Sequence, residues 1–122
     1  MSGLPRRRIL KKKPDFQEVY RNGRSFADHY LVLYVFPLKD NKGPKVGFAA
    51  GKKLGNAVIR NRVKRLLRES YRLEQSIISE DYWLLLVGRK PAVTAKQPVI
   101  GKALRRLVKK AGIFKQGADG DC

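Results

Sequence analysis

Two segments of this chain are apolar at almost every position and rich in β-branched and aromatic residues. Residues 30–36 read YLVLYVF, and residues 81–90 read DYWLLLVGRK. Because successive side chains of a β-strand point to opposite faces, strands of this composition must be covered on both sides. The chain is therefore expected to form a sheet with helices packed against it, an α+β domain.

The other elements follow from helical spacing, caps and turn residues. Pro14 fits the first turn of a helix, Asn56 is a good N-cap residue, and Gly112 is a suitable C-cap. The predicted helices are 14–22, 56 to 73 or 74, and 98–111, and the predicted strands are 25–36 (continuous, or broken near residues 28 and 29), 45–53 and 81–90.

The length of 122 residues suits one domain with one core. We expect a basic N-terminal arm at 1–13, a single domain at 14–112 and a flexible tail at 113–122. The only cysteine, Cys122, can form no internal disulfide, and no segment is apolar enough to span a bilayer or to act as a signal peptide. These features predict a cytoplasmic protein.

The charge of the chain is strongly unbalanced. There are 28 Lys and Arg against 10 Asp and Glu, a net charge of +18. Small soluble domains usually carry a net charge of magnitude about 2 to 8. An excess of this size costs self-repulsion in the folded state and indicates a polyanionic partner. Nucleic acid is the first candidate, and an anionic membrane surface is the second.

The predicted long helix concentrates this charge. From residue 45 to residue 68 there are eight Lys or Arg and no Asp or Glu. At 100° per residue, Ile59, Val63, Leu66, Leu67, Ser70 and Leu73 form one stripe that is expected to pack on the sheet. The face opposite to this stripe collects Lys64, Arg65, Arg68, Arg72 and Asn61, with Arg60 and Arg62 flanking it on either side. A face that is merely solvated would usually mix both signs of charge, since like charges one turn apart repel. The pattern therefore favours RNA binding over a solvated face.

Aromatic residues predict a second surface. Phe16 and Tyr20 lie one turn apart on the first helix. Tyr30, Val32, Tyr34 and Phe36 are expected on one side of their strand, beside a strand that is thin in side chains at Gly47, Ala49, Ala50 and Gly51. Such a groove can stack unpaired bases. The alternative, that these rings are simply core, is left open by the sequence.

The sequence contains no catalytic constellation. His29 is the only histidine, and the acidic residues do not form the carboxylate cluster of a two-metal nuclease. No Gly-rich phosphate loop and no nucleophile motif is present. If the protein takes part in catalysis, the chemistry is expected to come from a partner.

The run KKLGNAVIRNRVKRLLRES, residues 52–70, closely resembles the helix motif of the protein component of bacterial ribonuclease P. The centre of the motif is RNR, residues 60–62, followed by VKR. The flanking segments PDFQEVYRNG, LVLY, VGFAAGKK and YWLLLVGRKP agree in order, so the likeness covers about residues 6–112. The chain departs from the pattern at Gly51, where the family more often has Ser or Ala.

The resemblance implies a four-stranded sheet with three helices, in the order α-β-β-β-α-β-α, and a left-handed crossover around the long helix. Phe16, Tyr20 and Tyr34 would line a cleft that binds the single-stranded 5′ leader of precursor tRNA. No catalytic or metal-binding residue is implied in the protein itself. The residues implied to contact RNA are Lys52, Lys53, Asn56, Arg60, Asn61, Arg62, Lys64, Arg65, Arg68 and Lys90.

The expected function is therefore that of the protein subunit of ribonuclease P. Its partners would be the ribonuclease P RNA subunit and precursor tRNA, with no membrane and no small-molecule substrate. The RNA, with Mg²⁺ bound mainly to it, would remove the 5′ leader. A ribosomal-type RNA-binding protein is an alternative that would share the charge without needing the aromatic cleft. A stand-alone nuclease and a membrane-surface protein are weaker alternatives.

Overall fold

The computed structural model describes residues 8–38 and 43–115. Within these residues the chain forms three helices and a four-stranded sheet, which confirms the predicted α+β class. Short 3-10 turns lie at Lys52–Leu54, Gln75–Ile77 and Lys90–Val93. The helices and strands are α1 (Lys13–Asn22), β1 (Arg24–Ala27), β2 (Leu31–Pro37), β3 (Lys45–Ala50), α2 (Ala57–Glu74), β4 (Tyr82–Gly88) and α3 (Gln97–Ala111).

The sheet has the strand order β1-β2-β4-β3. β2 pairs antiparallel with β1 and β4, whereas β3 pairs parallel with β4. The two segments that are apolar on both faces are thus the two central strands, as their composition requires. β3 neighbours β4 rather than β2, so the prediction that the thin strand lies directly beside the aromatic strand is wrong. The left-handed sense of the β3–α2–β4 crossover stays a prediction.

The strand predicted at 25–36 is a β-hairpin. The side chain of Asp28 accepts hydrogen bonds from the backbone N–H groups of Tyr30, at 2.8 Å, and Leu31, at 3.1 Å. This local turn ends β1 and starts β2. Tyr30 therefore lies outside β2 and packs on the main core, which corrects the prediction that it shares a face with Tyr34 and Phe36.

The main core lies between one face of the sheet and the pair α2 and α3. Leu33, Leu86 and Phe48 form one row across β2, β4 and β3 on this face. Val63 from α2 and Leu104 from α3 are fully buried in the same cluster. Two helices are needed here because β2, β4 and β3 together present more apolar surface than a single helix stripe covers.

A smaller core covers the other face of the sheet. Its row is formed by Tyr34, Leu85 and Gly47, and α1 packs on it through the fully buried Val19. Leu10, from the segment before α1, is buried in the same cluster. α1 therefore sits alone on the face opposite to α2 and α3.

Gly88 of β4 lies directly against α2, on the face of the sheet that carries the main core. A Cβ at this position would lie 2.6 Å from Cγ1 of Val63, a stiff β-branched side chain. We expect Gly88→Ala to lower the free energy of unfolding by about 1 to 3 kcal/mol through overpacking. Gly51→Ala is the matched control, because no atom of the described residues lies within 4 Å of its Cβ position. Equal urea midpoints for the two variants would contradict this packing.

The predicted arm and tail both include residues that pack on the domain. Ile9 forms a parallel β-bridge with Val46, and the buried Leu10 follows it. At the other end, Ile113 is buried and Phe114 forms a bridge with Ile78. The packed region thus extends over residues 8–12 and 113–115, beyond the predicted bounds of 14 and 112. Residues 1–7 and 116–122, with Cys122, lie outside the described residues.

Candidate nucleic-acid interface

α2 has two faces of opposite chemistry. Asn56 caps the helix, since its Oδ1 accepts a hydrogen bond from the Ile59 N–H at 3.0 Å. Val63 and Leu67 are fully buried against the sheet. On the opposite face Asn61 is exposed. The exposed cations of that face, none of which forms an ion pair with any residue of 8–38 or 43–115, are Lys64, Arg65 and Arg68.

Three other positions on α2 differ from the sequence prediction. Leu73, expected in the packed stripe, is 50% exposed, and Tyr71 is buried in its place. Arg72 is not a free cation, because its guanidinium lies 2.7 Å from the carboxylate of Glu69. Hydrogen bonds from Arg72 lower the pKa of Glu69 below its ordinary value. The free cationic face of α2 is therefore shorter than predicted and centres on residues 61–68.

A groove of about 430 Å³ runs beside this face. Phe48 projects from β3 into its wall, and its ring centroid lies 6.1 Å from that of Tyr71. Phe48 is not among the residues predicted from the sequence, although its alternation with Gly47 and Ala49 places it on the helix side of the sheet. The groove therefore combines an aromatic wall with cations. Its lining residues are Ile9, Leu10, Phe48, Asn61, Lys64, Arg65 and Arg68.

The segment before α1 forms the far wall of the groove. Its backbone is held by a hydrogen bond from the Leu10 N–H to the Val46 carbonyl at 2.8 Å. Arg8 lies 3.8 Å from Glu80 and close to the Tyr71 hydroxyl. Burial raises the pKa of Tyr71 above its ordinary value, so the hydroxyl stays protonated at neutral pH. At least one cation of the basic arm is thus used to fix the groove.

A second group of basic residues meets at one edge of the sheet. β3 and β4 are parallel, so their carboxyl ends lie together, with Ala50 opposite Gly88. The 3-10 turns that follow bring Lys53 and Lys90 into contact, because the Lys90 ammonium donates to the Lys53 carbonyl at 3.3 Å. Lys52 is exposed in the same turn as Lys53. The three lysines named by the resemblance therefore share one site, near the N-terminus of α2.

Arg60 and Arg62 are partly engaged within the protein. The Arg62 guanidinium donates a hydrogen bond to the Val93 carbonyl in the turn after β4. Nε of Arg60 is buried and has no hydrogen-bond partner among the described residues. Neither arginine is thus a freely solvated cation, in contrast to Arg65.

Arg62 and Arg65 offer a direct comparison of structural and binding roles. We expect Arg62→Ala to lower the free energy of unfolding by about 0.5 to 1 kcal/mol, because it removes one exposed hydrogen bond to a carbonyl. Arg65→Ala should leave the thermal midpoint unchanged or slightly raised. The measurement is thermal unfolding of both variants beside the parent. A larger loss for Arg65→Ala would show that the two roles are assigned the wrong way round.

The aromatic residues named by the resemblance do come together on the α1 face. The rings of Tyr20 and Tyr34 lie 5.2 Å apart, and Tyr20 is 57% exposed. Burial, together with the neighbouring Tyr20 hydroxyl, raises the pKa of Tyr34. Phe16 packs over Gly47, where a Cβ would lie only 3.1 Å from its ring. Tyr20 therefore presents an exposed ring, whereas the rings of Tyr34 and Phe16 are both partly buried on the smaller core.

The two surfaces lie on opposite faces of the sheet. The tyrosine pair is on the α1 side, and the cationic face of α2 is on the side of the main core. They are linked around the β3 edge by the segment before α1, since Leu10 contributes both to the core under α1 and to the groove beside α2. A single extended ligand could pass from one surface to the other around this edge.

The fold and these surfaces define the class of the protein. It is a small α+β protein whose exposed chemistry is a cationic helix face with accessible aromatic rings, the combination that binds single-stranded and structured nucleic acid. None of the helices in residues 8–38 and 43–115 is long and apolar enough to cross a membrane.

The family model described as Ribonuclease P matches residues 4–112 of this chain. The ribonuclease P protein component of Clostridium perfringens strain SM101 is 42% identical over 111 residues, covering 85% of this chain and 88% of that protein. The corresponding protein of Clostridium botulinum strain Eklund 17B is 42% identical over 117 residues, covering 91% and 94%.

Solved structures agree with this relationship. The Staphylococcus aureus RNase P protein matches with a TM-score of 0.76 at 33% identity, covering 88% of this chain and 98% of that one. The Thermotoga maritima RNase P protein has a TM-score of 0.73 at 23% identity, which shows the shared fold alone. The chain therefore belongs to the ribonuclease P protein component family. It is part of an endoribonuclease complex for tRNA 5′ maturation, in which it assists an RNA.

Proposed function

We propose that this chain binds both the ribonuclease P RNA subunit and the precursor tRNA, with different surfaces for different features. The free cations of α2 and the groove beside them contact phosphates of structured RNA. The Tyr20–Tyr34 pair stacks unpaired bases of the 5′ leader. The observation that carries the proposal is the row Lys64, Arg65 and Arg68, exposed beside the groove without an ion pair to any described residue.

Charge neutralisation gives this arrangement its effect. Each phosphate that meets a Lys or Arg releases condensed counterions, which favours binding and makes it salt-dependent. Arginine adds geometry, because its planar guanidinium donates two parallel hydrogen bonds to a phosphate. Two RNAs that would repel each other are thus held together by a basic protein between them. Lys52, Lys53 and Lys90 extend the same positive surface from the start of α2.

Leader binding requires a different chemistry, since unpaired bases expose their flat faces to stacking. Base–aromatic stacking contributes about 1 to 3 kcal/mol per base and tolerates any sequence. Tyr34 keeps a neutral phenol group at physiological pH, because burial raises its pKa above the ordinary value. The two rings are suited to stack a base, and their hydroxyls to donate a hydrogen bond to it. Such a site accepts the varied leaders of different precursors.

Mg²⁺ enters this proposal only with the RNA. Among the described residues no three His, Cys, Asp or Glu side chains lie together as metal ligands, so this part of the chain offers no donor set that fits a resident Mg²⁺. When bound to the RNA, Mg²⁺ supplies the activation of water for phosphodiester hydrolysis. The protein residues contribute binding and orientation. We place this complex in the cytoplasm, in agreement with a chain that has a single cysteine.

The proposal is tested by binding of precursor and mature tRNA to the RNA subunit, with and without this chain. Both tRNAs are made from one sequence, so that the 5′ leader is the only difference. We expect the chain to raise the preference for the precursor by about tenfold, the worth of one to two stacked bases. An unchanged preference, with the chain demonstrably bound to the RNA subunit, would contradict leader binding.

A further inference from the structure

α3 carries a second cationic surface that is separate from the α2 face. From residue 102 to residue 110, every exposed position of this helix is Lys or Arg, and the helix contains no acidic residue. The positions recur at helical spacing, so the side chains form one stripe about 12 Å long, at roughly 1.5 Å per residue. The members of this stripe are Lys102, Arg105, Arg106, Lys109 and Lys110.

The stripe occupies the other side of the helix layer from the α2 face. α3 packs over β1 and β2, whereas α2 packs over β3 and β4. The groove beside the α2 face borders β3, at the opposite edge of the sheet from β1. A ligand that lies in the groove beside α2 therefore reaches the α3 stripe only by crossing both helices. The α3 stripe is a separate surface.

Two of the arginines are oriented by carboxylates beneath them. Arg105 lies 3.1 Å from Glu74, and Arg106 lies 3.1 Å from Asp28. The carboxylates are only 19% and 18% exposed, whereas the two arginines are 50% and 61% exposed. The negative groups are thus mostly covered and the positive groups point outward. These ion pairs hold the stripe in place without neutralising its outer surface.

The three lysines of the stripe have no such role in the fold. Lys102, Lys109 and Lys110 are exposed and form no ion pair with residues 8–38 or 43–115. The helix dipole favours cations in the last turn, but Lys102 lies outside it. The C-terminus of α3 already has a cationic hydrogen-bond donor, because Arg24 donates to the Ala111 carbonyl at 3.1 Å. Repulsion among the five cations of the stripe slightly destabilises the free protein.

We propose that the α3 stripe binds the phosphate backbone of a double-helical RNA segment, distinct from the RNA that contacts α2. No aromatic residue lies on the exposed side of α3 between residues 102 and 110, so the stripe has nothing on which unpaired bases could stack. Duplex RNA is recognised through its shape and backbone, which a row of cations on a straight helix matches. The inference uses the RNA partner of the proposed function but a separate surface.

The test replaces the three unpaired lysines in the full chain. The variant Lys102→Gln/Lys109→Gln/Lys110→Gln is compared with Lys102→Arg/Lys109→Arg/Lys110→Arg, which keeps the charge. The probe is a blunt-ended RNA duplex, with a single-stranded oligonucleotide of the same sequence as the second ligand. We expect the Gln variant to lose about 10²-fold in duplex affinity at physiological salt, and its log–log salt slope to fall by about 2.7, or roughly 0.9 per phosphate contact. The Arg variant should bind like the parent.

Several results would overturn the inference. Unchanged duplex affinity and salt slope in the Gln variant would show that the stripe does not bind duplex RNA. A loss confined to the single-stranded oligonucleotide would assign it to unpaired RNA. Loss of binding to anionic phosphatidylglycerol vesicles alone would assign it to a membrane surface. The duplex measurement does not test the proposed function, because it does not involve the stimulation of cleavage by the parent chain.

Discussion

Replacing Lys64, Arg65 and Arg68 by Gln is expected to lower the affinity for the ribonuclease P RNA subunit by about 10²-fold at physiological salt. Three phosphate contacts are lost, and each contributes a factor of roughly five under these conditions. The folded state should not suffer, because these side chains are exposed and form no ion pair with a described residue. The measurement is equilibrium binding of the RNA subunit across a salt series, with thermal unfolding in parallel.

The matched control keeps the charge and changes the head groups. Lys64→Arg, Arg65→Lys and Arg68→Lys in one chain should retain most of the affinity and the same salt slope as the parent. Any affinity that this control loses relative to the parent measures the contribution of the paired hydrogen bonds that arginine donates to a phosphate. If the Gln variant binds the RNA subunit as tightly as the parent, the α2 face is a solvated surface and the interface has been placed on the wrong element.

Removing the Tyr20–Tyr34 ring pair is expected to abolish most of the preference for precursor over mature tRNA. Tyr20→Ala with Tyr34→Ala takes away the exposed Tyr20 ring and the partly buried Tyr34 ring, which lie 5.2 Å apart. Stacking of one to two bases is expected to give the chain its preference of about tenfold, so most of that preference should be lost with both rings. The measurement is binding of precursor and mature tRNA to the complex of the RNA subunit with each variant.

The control for the ring pair is Tyr20→Phe with Tyr34→Phe, which keeps both rings and removes both hydroxyls. This variant should retain the preference if stacking is the cause. If it loses as much as the Ala variant, the phenol hydroxyls recognise the leader by hydrogen bonds instead. Full preference in the Ala variant would place the leader elsewhere. Phe16→Ala is a poorer test, because the packing of Phe16 over Gly47 links it to the core.

Much of the fold could be predicted because its periodicities are strong. The two strands that are apolar on both faces became the central strands β2 and β4, and α2 begins at the capping Asn56 as expected. The strand order could not be predicted, since a parallel β3–β4 pair depends on the path of a whole helix. Periodicity also could not place Ile9 and Phe114, which pack through isolated bridges rather than regular elements.

The candidate site could be predicted in part. Helical spacing was sufficient to place Lys64, Arg65 and Arg68 on one exposed face. The same spacing could not show that Arg62 reaches the Val93 carbonyl, because that contact joins elements 31 residues apart. Phe48 lies between small neighbours, so the composition of β3 hides the one large side chain that reaches the groove beside α2. The α3 stripe was hidden within the overall positive charge.

The most direct test of the central claim is cleavage of a precursor tRNA by bacterial ribonuclease P RNA at low Mg²⁺, with and without this chain. We expect the chain to restore cleavage at the mature 5′ end and to have no activity alone. Cleavage by the chain in the absence of RNA would contradict its assignment as an assisting subunit. Tight binding to the RNA without any stimulation of cleavage would contradict it as well, and would favour a structural RNA-binding protein.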